Sequence, residues 1–180
     1  MANGQEHAAP DAVLTRIGQV VMLHHAGDRE EARHRFLGLW AELGEHGDPL
    51  HRCTLAHYLA DTQDDPGDEL AWDLRALSAA EELTEDRLTG RRRGTLAARA
   101  LYPSLHLNLA ADYDRLGHRE AARVHLRRAR GAAEVLASDR YGDGVRAAID
   151  RLERRLDEDG PTPDGPDRPG GRWGPPRQRP

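Results

Sequence analysis

The chain has no lysine: all 26 of its basic residues are arginine. The pattern points to GC-rich coding of an actinobacterial type, and it excludes any site built on an ammonium group. Cysteine occurs once, as Cys53, so an internal disulfide framework is excluded and a reducing compartment is expected. Phenylalanine also occurs once, and aromatic residues total 4 % of 180. A core made from this composition must be mostly Leu and Ala. Runs of β-branched and aromatic residues are missing, which argues against strands. No apolar run approaches the ~18 residues of a membrane span. The start, MANGQEHAAP, has neither a basic region nor an apolar stretch, so no secretory signal is expected. A cytoplasmic location is the simplest expectation.

What remains is a helix-forming mixture of Ala, Leu, Glu and Arg in a chain long enough for one domain with a core. The net charge is −5, and the tail from Gly160 is locally basic, so the body is more acidic than the whole. An acidic body argues against a nucleic-acid groove, which needs a basic face to displace counterions. Residues 1–10 read as a flexible N-terminus. Residues 160–180 are rich in Pro, Gly and Arg and are expected to be disordered, because they cannot bury enough surface to offset ordering entropy. Trp173 is the one aromatic in that tail.

Residues 11–159 read as successive helical pairs. Asp11 caps a first helix with Val13, Ile17, Val20 and Leu23 apolar. Gly27-Asp28 turns the chain into a second helix carrying Ala32, Phe36, Leu39 and Trp40. Pro49 opens a third helix, and Asp65-Pro66 cap and open a fourth. The fourth shows one stripe of Leu70, Leu74 and Leu77 and a second of Trp72, Ala76, Ala79 and Leu83. A polar, basic connector covers 85–94. A fifth helix begins near Thr95 with Pro103 inside it, and a sixth follows GHREAA. The last helix has a narrow stripe, Val145, Ile149, Leu152 and Leu156, on an otherwise charged surface, as a terminal capping helix should.

The pairs repeat. Placing NLAADYDRLGHREAARVHLRRA over GQVVMLHHAGDREEARHRFLGL sets Gly117 on Gly27, Ala122 on Ala32 and Leu126 on Phe36. This pattern resembles the tetratricopeptide repeat, and NLAADYDRLGHREAA carries the resemblance best, with Leu109, Ala110, Tyr113, Gly117 and Ala122 at the repeat's positions. Leu55 and Ala56 fit the middle pair, but Leu59 stands in place of the Tyr and DTQDDPGDE is longer than the usual turn. The resemblance covers about 11–137 as three divergent repeats, similar to small actinobacterial tetratricopeptide-like proteins. It implies an all-α fold: antiparallel helix-turn-helix pairs stacked as a short right-handed solenoid with a C-terminal capping helix.

One helix face raises a chemical question. Cys53, His57 and Asp61 are spaced i, i+4, i+8, with Thr54 beside them. A thiol, an imidazole and a carboxylate could bind zinc, but a fourth ligand would have to come from elsewhere. The turn DTQDDPGDE is not a calcium loop, since Pro66 sits where that loop needs Gly. A Cys–His nucleophile needs an oriented base and an oxyanion site, and neither has a signature here. His57 and Asp61 could also simply bond each other and the local backbone. The resemblance implies a further reading, in which the first helix of each pair lines a concave surface that binds a partner. Carried over, the groove positions are Cys53, Thr54, His57 and Asp61 in the middle pair and Asn108 and Arg115 in the third. The expectation is therefore a non-enzymatic module binding a protein or peptide, with no cofactor, no metal, no nucleic acid and no membrane. The alternatives are a small-molecule or metal-binding sensor on the same scaffold and, behind it, a hydrolase.

Overall fold

The computed structural model describes residues 11–85 and 94–158. The N-terminal ten residues, the arginines at 91–93 and the tail with Trp173 lie outside the described residues. Seven helices and no strand are present among the described residues: α1 (Ala12–His25), α2 (Arg29–Leu43), α3 (Pro49–Ala60), α4 (Pro66–Glu85), α5 (Gly94–Arg115), α6 (Arg119–Ala133) and α7 (Arg140–Glu158).

Local chemistry sets most of the boundaries. The Asp11 carboxylate accepts from the Val13 and Leu14 amides at 2.9 and 3.1 Å, satisfying two amides that a helix start leaves open. Asp48 does the same for Leu50 and His51, with Pro49 at the first helical position. Asp65 accepts from Gly67 and Asp68 ahead of α4. The two best-matched turns are built alike. Gly27 has φ 102° and Gly117 has φ 79°, the left-handed region where a side chain is strained. Asp28 N–H donates to Leu23 O, and His118 N–H donates to Tyr113 O, at 3.3 and 2.8 Å. Each is the six-to-one bond of a glycine-terminated helix end, so both chains reverse by the same device.

Three apolar clusters follow one another. Ile17, Val20, Ala32, Phe36, Leu39, Leu55 and Leu59 join α1, α2 and α3. Cys53, Ala56, Ala76, Ala79, Ala80 and Leu105 join α3, α4 and α5. Ala110, Ala122, Leu126, Ala129 and the α7 stripe Val145, Ile149, Leu152 and Leu156 join α5, α6 and α7. Each helix packs on its chain neighbours, and the odd-numbered helices also touch in the order α1, α3, α5, α7. Four of the six buried residues of the middle cluster are alanine, so α3, α4 and α5 approach closely. Trp40 and Trp72 close its α2 side edge to face, with ring centres 5.0 Å apart.

One expected stripe is corrected. Leu74 is 41 % exposed, whereas Asp73, Ala76, Leu77 and Ala80 face inward. The buried arc of α4 is therefore rotated from the leucine stripe toward the alanines. The inward face of α4 centres on Asp73, Ala76, Leu77 and Ala80, and Leu74 falls outside it. An aspartate is carried into the interior as a result.

Candidate functional site

Two features meet at α3. The first is a groove of about 460 Å³. Leu14 from α1, Leu50 and Tyr58 from α3, and Leu101 from α5 give it apolar walls. Thr54, His57, Ser104 and Tyr141 place polar atoms on its edges. Thr54 Oγ1 donates its hydrogen to Leu50 O at 2.8 Å. Tyr141, 52 % exposed, forms one wall and donates to Ser104 Oγ at 3.4 Å, tying α7 to α5. Helix spacing explains the α3 contribution: Leu50, Thr54, His57 and Tyr58 fall within one arc, while Leu55, Leu59 and Cys53 face the two cores.

The second feature lies behind His57. Glu69 and Asp73 from α4 and Asp112 from α5 bring carboxylate oxygens within 4.8 Å of one another. Asp73 and Asp112 are both fully buried. His57 Nδ1 stands 3.6 Å from Asp73 Oδ1, an ion-pair distance but too long for a hydrogen bond. Arg115 donates to Asp112 Oδ1 at 2.5 Å and reaches Glu69 Oε2 at 2.6 Å. Burial, then the nearby Asp73, raise the Asp112 carboxyl to about 7, with Arg115 opposing. Asp73 is raised by burial, with His57 opposing. Burial disfavours a charged His57, but Asp73 and then Asp61 outweigh it, so the imidazole is held above its usual range.

The expected groove residues are divided between these features. Thr54 and His57 line the groove. Asp61 caps the C-terminal end of α3, exposed, and acts electrostatically on His57 and Asp73. Arg115 is half-exposed and serves the acidic cluster. Asn108 is half-buried on α5 and is not among the groove-lining residues. Cys53 is fully buried in the alanine cluster and offers no atom to a partner. Burial, then Asp73, push its thiol up to about 12. Cys53 is therefore expected to resist iodoacetamide in the native chain at pH 8, reacting at least about a hundredfold more slowly than in denaturant. Equal rates in the two states, followed by mass spectrometry, would contradict this placement.

Sequence reasoning missed Glu69, Asp73 and Asp112. A signal existed for two of them. Leu105, Leu109 and Asp112 are spaced i, i+4, i+7, and Asp73, Ala76 and Ala80 are spaced i, i+3, i+7. Each aspartate thus occupies a core position of its own helix, where an unpaired charge is costly.

Comparison with known proteins finds no matching family model, no matching curated protein and no matching solved structure.

Proposed function

We propose that this chain is a non-enzymatic helical-repeat module that binds a peptide segment of a partner protein in the groove between α1, α3, α5 and α7. The groove itself carries the reading: apolar walls with hydroxyl and imidazole edges suit one apolar anchor side chain and the backbone around it. Support for a tetratricopeptide-like stack comes from the twin glycine turns, the serial packing of neighbours and the contacts along the odd-numbered helices. In that arrangement α7 is the cap, its charged face outward. The buried thiol argues against a cysteine nucleophile. The acidic body argues against nucleic acid, and no helix among the described residues is long and apolar enough to cross a membrane. A cytoplasmic partner is the reading most consistent with the lone, reduced-type cysteine.

Selection from a random peptide display library tests the idea. The full chain is expected to enrich peptides sharing an apolar anchor. Thr54→Arg, which drives a long charged side chain into the groove, is expected to weaken the best of them at least about tenfold by fluorescence polarisation. Enriched peptides that ignore Thr54→Arg, or no peptide tighter than about 100 μM, would end this reading. Metal binding on the same scaffold is the second reading, favoured by the acidic cluster alone.

A further inference from the structure

Three carboxylates crowd one point between α4 and α5, and Arg115, the one guanidinium that reaches them among the described residues, balances a single charge. Fully ionised, the three carboxylates carry one more negative charge than Arg115 and a protonated His57 supply, around two fully buried aspartates. Such a burial is costly unless a partner completes it. The hydrogen-bond pattern shows where the partner is lacking. Both oxygens of Asp73 and Oδ2 of Asp112 are buried without a hydrogen-bond partner, and so is His57 Nδ1. Arg115 engages the other oxygen of Asp112, Oδ1, and so orients the carboxylate without consuming Oδ2. Buried polar atoms are normally satisfied, and here the unsatisfied ones point at each other.

We propose that Glu69, Asp73 and Asp112 form a binding site for one divalent cation. A cation at about 2.1–2.4 Å from each of its ligands spans oxygens up to about 4.8 Å apart, the limit within which these oxygens lie. Its positive charge offsets the carboxylate charge that Arg115 and His57 leave unbalanced around the buried aspartates. The donor set is hard carboxylate oxygen with no thiolate, which suits Mg²⁺, Ca²⁺ or Mn²⁺, and Mn²⁺ is the paramagnetic probe of the three. The ligands come from α4 and α5, so a bound ion would pin these two helices beside the alanine cluster. The half-exposed Arg115 and the partly exposed Glu69 mark the side open to solvent.

The full chain, stripped with chelator, would be titrated with Mn²⁺ while the electron paramagnetic resonance signal of the free ion is followed. One ion per chain is expected to bind below millimolar concentration. Asp73→Asn and Asp112→Asn are each expected to weaken binding at least about tenfold, and Glu31→Gln, an exposed acid on α2, to leave it unchanged. If a buried variant fails to fold by circular dichroism, Glu69→Gln carries the localisation, because Glu69 is partly exposed and its replacement leaves the core intact. No binding below about 1 mM in the parent chain overturns the proposal, as does binding that survives the cluster variants, since that would be an adventitious ion only. Peptide affinity in chelator is a separate readout, so failure here leaves the groove reading standing.

Discussion

His106→Leu is expected to remove a large share of the acid sensitivity of this fold. His106 is 8 % exposed, on α5, and its Nδ1 lies 3.1 Å from Nδ1 of His125 on α6. One ring must donate and the other accept, so the contact needs at least one neutral imidazole. Tyr102 stacks on His106 and Tyr113 on His125, leaving little room for water. Burial, then His125 and Arg128, lower His106 to about 4. Burial, then Arg128, lower His125 as well. The unfolded chain protonates these histidines near pH 6.5, while the folded chain resists. The contribution of His106 to stability is therefore complete above pH 6.5 and is lost as the pH falls toward 4. Its size over that window is about 2–3 kcal/mol. Asp112, raised to about 7, works in the opposite direction, its contribution falling as pH rises from the ordinary carboxylate range. The parent chain alone would thus show a compressed pH profile, and the comparison of variant with parent isolates His106. Urea unfolding in chelator at pH 7.5 and 4.5 would measure it. Relative to the parent, His106→Leu should gain about 2–3 kcal/mol on going to the lower pH. Parallel pH slopes in the two proteins would refute the assignment.

Phe36→Ala should cost about 3–5 kcal/mol. Phe36 is the chain's only phenylalanine and is fully buried in the cluster of α1, α2 and α3. Tyr58 stacks on it at 6.2 Å, so truncation removes both buried area and an aromatic contact. The neighbours Ile17, Leu55 and Leu59 sit on helices fixed by caps and turns and cannot easily collapse into the space. Leu126→Ala, at the residue that aligns with Phe36 in the sequence, should cost about 2–5 kcal/mol in the α5–α7 cluster. Because packing is serial, the two losses should be felt at opposite ends. Amide exchange should quicken first in α1 and α2 for Phe36→Ala, and first in α6 and α7 for Leu126→Ala. Uniform quickening along the chain in both variants would show that the molecule opens as one unit. A loss below about 1 kcal/mol at Phe36 would mean that the site is not packed as described.

The comparison of the two positions also shows how far the residues carry the fold. Asp11, Asp48 and Asp65 act on amides two or three residues away, and Gly27 and Gly117 need only their own backbone. These effects are local, so helix starts, turns and the capping stripe of α7 are legible in the string of residues. Leu74 marks the limit. Its periodicity is that of a core residue, yet the closeness of three helices decides which arc of α4 is buried.

The candidate site shows the same division more sharply. The line Cys53, His57, Asp61 is a true feature of α3, and Thr54 and His57 do reach the groove. Spacing on one helix cannot say what stands opposite. The fold sends Cys53 into an alanine core, turns Asp61 to the solvent at the helix end and sets His57 against Asp73. Asp73 and Asp112 are 39 positions apart in the chain, on two different helices. The sequence by itself determined only which residues share a face, Asp73 with Ala76 and Ala80 and Asp112 with Leu105 and Leu109, because helix periodicity fixes it. Only the tertiary structure decided that the two inward stripes meet, with Glu69, His57 and Arg115 closing around them. Helix packing is set by the summed fit of many small side chains, and no local pattern encodes which two buried charges that fit will bring together.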